Sequence, residues 1–421
     1  MTAMSAVAGR TDVAADLERQ LAHWLGAAGT FTDAEEFASL EAWHAVEEQV
    51  GLPLRRELAA TVERLLSMGR ATAVLVRSAR SDPGQIPAAA AAVQAFRRRY
   101  AAVEQTLEFL GEAVNSRTSP ALRAVLRNID EMAMLSMQPV LVPLRLPQVP
   151  VLAYVDKGMG ASILRAGVRL WAPGTVNPVA AVRVVRHNLY RFTSAFHEVG
   201  HQIAVMTGWA TDVGRALGDA LADDPPLRAM WSPWVPEIVA DVFAFVHTGY
   251  ASVAALYDVV GDRATVLRWP VGDPHPVGWI RTLLGCRMCR LTYGAGPWDS
   301  LERAVVAAHP LRSATPELAA LMERSRARLD RITQVCLATP VRGFHGRTIT
   351  DLVDPRRVSP QALADLERAA GPAMWTSPEL RRREGIRIVA LTGLREAEDP
   401  DKAGEWIQRS RSWLTAGARS A

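Results

Sequence analysis

The feature that most constrains this chain is an H-E-x-x-H, running His197-Glu198-Val199-Gly200-His201. Residues four apart lie on one face of a helix, so a helical reading brings both imidazoles within reach of one tetrahedral ion at about 2.0–2.1 Å. Glu198 adjoins the first histidine and is placed to take a proton from a water that such an ion acidifies. Thr193 and Ser194, just upstream, read as capping residues for this helix. A hydrolytic zinc site needs a third protein donor and keeps one position open. Glu237, in Pro236-Glu237-Ile238-Val239-Ala240-Asp241, offers that donor from a second apolar helix. Asp241, one turn further along, can accept the free ring N–H of a ligand histidine and fix its tautomer. Residues of two helices would then supply the ligands of one Zn²⁺ per chain. With nine histidines in 421 residues, an H-E-x-x-H alone arises by chance in about one such chain per hundred. The E-x-x-x-D that follows carries the reading beyond chance.

A chain of 421 residues exceeds what one hydrophobic core organises, which predicts two or three packed units. Hydrophobic residues at 49% and charged residues at 22% exclude a disordered or low-complexity chain. The net charge of +4 is too small to imply a nucleic-acid partner. Only three cysteines occur, which excludes a disulfide framework and suits a reducing compartment. No secretory signal is legible, and the weakly polar stretch from Ile238 to Val260 is broken by Asp241, His247 and Asp258. Buried helices are expected there rather than a membrane span. These observations predict a soluble, cytoplasmic protein without membrane insertion, with leaderless export left open and no statement about oligomeric state.

From Asp12 to Met137 apolar residues recur at three and four, as in Leu17, Leu21, Trp24 and Leu25 and in Leu58, Val62, Leu65 and Leu66. Breaks at Gly29, Gly51 to Pro53, Ser81 to Gly84 and Ser116 to Pro120 divide this region into roughly five helices. From Gln138 the texture changes. Val140, Leu141, Val142, Leu144 and Leu146, then Val149 to Val155, read as short strands, with another over Val168, Leu170 and Trp171 and a tight turn at Gly158 and Gly160. Helical spacing returns from Leu301. The expected domains are an N-terminal helical bundle or cap at 1–137, a core at 138–300 and a helical extension at 301–421. The fold class is α+β, predominantly α-helical, with a small sheet preceding the helix that carries the histidines.

A third element follows at Asp273-Pro274-His275-Pro276-Val277-Gly278-Trp279-Ile280-Arg281. H-E-x-x-H, E-x-x-A-D and H-P-x-x-x-x-R in that order resemble the gluzincin metallopeptidases, most closely the HtpX and CAAX-prenyl-protease type, over about residues 190 to 285. The resemblance implies a zincin-like core in which a small sheet lies beside the active helix and its edge strand pairs with an extended peptide. It makes His197, His201 and Glu237 the zinc ligands, Glu198 the general base and Asp241 the partner of a ligand histidine. It also turns His275 toward the site, where it could hydrogen-bond the oxyanion, and lets Arg281 pair with a nearby carboxylate. Members of that type carry transmembrane helices or a secretion signal, so the mechanism is what transfers and the biological role is not.

Other signals have plainer readings. Tyr250, His247 and Tyr293 compete with His275 for the oxyanion and are otherwise packed or surface residues. Cys286 and Cys289 form a lone C-x-x-C and, with Cys336, read as inert core thiols. Trp209, Trp231 and Trp234 either line a cleft or pack between helices, and His23, His44, His187, His309 and His345 lack partners at metal spacing. The function expected is zinc-dependent endopeptidase hydrolysis of a protein or peptide substrate. Its alternatives are a zinc hydrolase with one narrow substrate, of toxin or effector type, and a non-catalytic binding module organised by metal. The N-terminal helices could keep such an enzyme latent.

Overall fold

The computed structural model describes residues 3–51, 53–156, 162–164, 179–270 and 272–416. These group into two compact units, one from Met1–Ser119 and the other from Pro120–Arg165 with Val179–Ala421.

The first unit holds four long helices, α1 (Ala3–Thr30), α2 (Leu40–Val50), α3 (Leu54–Ser81) and α4 (Ile86–Asn115). Their ends follow local chemistry. Ser39 accepts from the Ala42 amide at the start of α2, and Gly51, at φ 66°, takes the left-handed conformation that closes it. Asp82 accepts from the Gly84 amide where the chain leaves α3. Leu17, Leu21, Leu58, Val62, Leu65, Val93 and Phe96 are buried, as the three-and-four spacing predicts.

The second unit begins with α5 (Pro120–Leu141), which the periodicity groups with the first four helices. A sheet of three short strands follows, β1 (Val151–Asp156), β2 (Ser162–Leu164) and β3 (Ala180–Val185), in the order β1-β3-β2. β1 runs parallel to β3 from Val151↔Ala180 to Asp156↔Val185, and β2 runs antiparallel to it with Ile163↔Val182. The Asp130 carboxylate of α5 accepts from the Ala153 amide at 2.5 Å, so the outer edge of β1 is covered by a helix. Then come α6 (Thr193–Thr207), α7 (Trp209–Ala220), α8 (Pro225–Trp231), α9 (Val235–Thr248), α10 (Tyr250–Val260), α11 (Gly278–Tyr293), α12 (Pro297–Ala308), α13 (Pro316–Ala327) and α14 (Leu329–Ala338), with further helices to Thr415.

The strand expected from Val149 to Val155 is present as β1. The strand expected across Val140 to Leu146 is not. Val140 and Leu141 form the last turn of α5, and residues 142–145 form a turn. Ile129, Met132, Ala133, Met137, Val140 and Leu141 are all buried on one helical face, so the period of the preceding turns continues to Leu141 despite Pro139. The strand expected over Val168, Leu170 and Trp171 and the turn at Gly158 and Gly160 lie outside the described residues. The architecture is predominantly helical with a small mixed sheet, and no described helix is long and apolar enough to cross a membrane.

Candidate metal centre

α6 buries Ala195, Phe196, Val199 and Ile203, and stops at Gly208, whose φ of 68° few other residues tolerate. Thr193 and Ser194 are its first helical residues, and Phe192 takes the cap position without a side-chain bond, so the capping role expected of them is not the one they have. β3 packs along α6, placing the sheet beside it. α9 starts at Val235 with Pro236 in its first turn and is apolar on nearly every side, the mark of a helix buried on all faces. Its charged exceptions, Glu237 and Asp241, lie one turn apart on the face turned to α6.

The two helices touch at Gly200. A Cβ there would stand 2.9 Å from the Ala240 Cα and 2.9 Å from the Phe243 Cβ, closer than carbon atoms pack. This glycine gives up helix propensity and lets α6 and α9 approach at backbone distance.

At that separation His197, His201 and Glu237 converge, with donor atoms all within 4.8 Å of one another. Nε2 of His197 is 3.4 Å from Oε2 of Glu237, and Nε2 of His201 is 3.3 Å from Oε1. Each histidine thus faces its own oxygen of the Glu237 carboxylate. The group can hold a metal ion.

Nδ1 of His197 is 2.8 Å from Asp241, which leaves Nε2 to face Glu237. Arg281, on α11, donates to both Asp241 oxygens, from Nε at 2.7 Å and Nη2 at 2.9 Å, and Nη2 lies 3.3 Å from Glu237. Asp241 and Arg281 are thus clasped together behind the donor set. Burial disfavours the Glu237 carboxylate, but the His197 hydrogen bond and the Arg281 charge prevail and hold it down at about 2. Asp241, opposed by burial and favoured by Arg281 and His197, is also held well below the carboxylate range. Burial works against a charged His197, yet Asp241, with Glu237 and Glu198, lifts it to about 10. Burial, then the His197 charge, lowers His201 to about 4. The carboxylates make the centre a seat that favours positive charge.

Glu198 is not among the converging donors. It is buried, and burial followed by repulsion from Glu237 outweighs His197, Arg281 and Arg183 to raise its carboxyl to about 7. Both it and the metal donors line a cleft of about 950 Å³.

His275 lies at the cleft, half-exposed, with Nε2 3.6 Å from Glu237 and Nδ1 2.7 Å from Asp273. Asp273 is a partner that the sequence reading leaves unassigned, although an acid two residues before a histidine is a legible signal. Trp269 holds this arch in place. Its ring meets Trp234 at 5.2 Å between centroids, and its Nε1–H donates to the Asp273 carbonyl at 3.3 Å. Arg183 on β3 also lines the cleft, a residue missed because β3 itself was not read from the sequence.

The other candidates lie elsewhere. Tyr293 donates to the Pro355 carbonyl at 3.0 Å, Tyr250 packs on Trp298, and His247 sits between Phe196 and Phe243. Cys286, Cys289 and Cys336 are buried and free, and burial raises all three thiols, Cys286 and Cys336 to about 12. Trp209 packs on Phe344 and Trp231 on Trp234, so both belong to helix packing. Against protein-family models, characterised proteins and solved structures, the chain matches none.

Proposed function

We propose that this chain is a zinc-dependent endopeptidase of gluzincin type. The observation that carries the reading is the convergence of the His197, His201 and Glu237 donor atoms within 4.8 Å of one another at a cleft, with the buried Glu198 carboxyl outside that set. Zinc held there supplies Lewis acidity, polarising a peptide carbonyl and lowering the pKa of water. Glu198, in its charged form, takes a proton from the attacking water and later delivers it to the leaving amine. His275, held through Nδ1 by Asp273, presents Nε2 to the oxygen that gains charge as water adds. Asp241 orients His197, and Arg281 fixes Asp241 and Glu237 in turn. Glu198 also favours this reading over a metal-organised binding module, because a structural site fills its fourth position with protein and has no use for a base.

The test is metal content by mass spectrometry on the wild type, Glu198→Gln and His201→Ala, each then incubated with a quenched-peptide library. Wild type and Glu198→Gln are expected to hold about one zinc per chain, His201→Ala none, and only wild type to cleave, with turnover of Glu198→Gln down by about 10³-fold. Absence of metal from all three would overturn the proposal. Zinc without cleavage of any peptide would replace it with the narrow-substrate hydrolase or the binding module.

A further inference from the structure

Asn188 sits in the turn between β3 and α6, is 2% exposed and lines the same cleft as Glu198. Its Oδ1 is buried without a hydrogen-bond partner. The Oγ of Ser194, another cleft residue, is also shut off from solvent and unbonded. Buried polar side chains are bonded in the great majority of proteins, and an orphan at a cleft wall points to a partner that arrives from outside. Neither group has a task in the mechanism above, and neither caps α6. The cleft also has an apolar lining, with Leu256 and Val259 of α10 and Leu284 and Met288 of α11.

The geometry points to a substrate-anchoring subsite in which Asn188 and Ser194 hydrogen-bond the main chain of the bound peptide, a role that rests on the peptidase reading. A carboxamide offers one acceptor and a donor pair, the complement of a peptide group's N–H and C=O, and a hydroxyl can serve either. Ser194 lies four residues before Glu198 on the same helix face, about 6 Å along the axis. A chain running extended along α6 advances about 3.3–3.6 Å per residue, which sets the anchored peptide group about two residues from the one at Glu198. Asn188 is a specificity residue here. It selects for substrate extending at least that far on its side of the cut, whatever side chain the apolar wall receives.

Peptide binding to zinc-loaded Glu198→Gln protein, with and without Asn188→Ala, tests this with capped random-sequence peptides of two to eight residues. Hydrolysis of the same peptides is followed with Glu198 intact, and melting temperature is measured for Asn188→Ala and Asn188→Leu. The expected result is affinity about tenfold weaker for Asn188→Ala on longer peptides, with little change on those too short to reach the subsite. The melting temperature should hold or rise, most of all in Asn188→Leu, because no bond inside the protein is lost. Unchanged affinity and kcat/KM on long peptides that wild type cleaves would overturn the subsite and leave the peptidase intact. An equal loss at every length with a lowered melting temperature would also overturn it, marking Asn188 as structural. If no peptide binds and none is cleaved by zinc-loaded protein, the peptidase reading fails and the subsite with it.

Discussion

The helices α1 to α4 and the pair α6 and α9 are built from similar apolar residues and put to different use. In α1, α3 and α4 the buried side chains are leucine, valine, alanine and aromatics with a few threonines, and the charges face water. In α6 and α9 the buried set includes Glu198 and Glu237, with Asp241 and Arg281 nearly enclosed beside them. Buried charge is costly unless paired, and a hydrophobic replacement of similar size often leaves stability equal or higher. The bundle therefore shows what packing alone selects, and α6 with α9 shows packing that has admitted charges for another purpose.

The largest expected effect lies in that charge network. Asp241→Ala leaves Arg281 buried beside a single carboxylate and should cost about 3–5 kcal/mol in denaturant unfolding, near the top of the range for Leu65→Ala in the bundle, about 2–5 kcal/mol. The comparison is sharpened by Asp241→Leu combined with Arg281→Met. That pair should recover most of the lost stability while zinc affinity stays about 10–100-fold down, because His197 has lost the group that fixes its tautomer. Recovery of both would mean that the network serves stability only.

A smaller effect depends on pH. His247, at the end of α9, is lowered to about 3 by burial, against the raising effect of its bond to the Ser136 backbone. A histidine unfolded near 6.5 but lowered in the fold binds its proton more tightly when unfolded. Stability should therefore be complete above about pH 6.5 and fall as pH drops toward 3, by about 1.4 kcal/mol per unit or about 2 kcal/mol by pH 5. Chemical denaturation of wild type and His247→Phe across this window checks it, the variant losing that share of the slope. An identical slope in both would show that the site's carboxylates set the acid limit instead.

The smallest effects contrast two glycines. Gly200→Ala must push α6 from α9 and should cost about 1–3 kcal/mol together with zinc affinity. Gly26 is exposed in α1, and a Cβ added there would meet nothing within 4 Å, so Gly26→Ala should gain up to about 1 kcal/mol. Thermal melts of both, with zinc titration of the first, separate a glycine kept for close approach from one that is not.

Much of this was legible without coordinates, for reasons visible in particular residues. Helix period and breakers placed the ends of α2 to α4 closely, because Gly51, Asp82 and Ser116 act on their own neighbours. The spacing of His197 and His201 stated a helix face and a chemistry together. The strand texture misled from Val140, where a helix and a strand can bury the same apolar residues, and β3 went unread. Asp273 was in view but unassigned, since its role depends on the direction in which His275 points.

By itself the sequence determined which residues can donate to a metal and which carboxylate adjoins them, because these depend on residue type and local spacing. Only the tertiary structure decided that Glu237 reaches both histidines, that Arg281 closes behind them and that Asn188 and Ser194 are left unbonded at the cleft. Those relations join segments far apart in the chain, through the approach of α6 to α9 at Gly200 and of α11 to α9 at Asp241. Distances of a few ångströms between remote segments are set by packing, which no local pattern records.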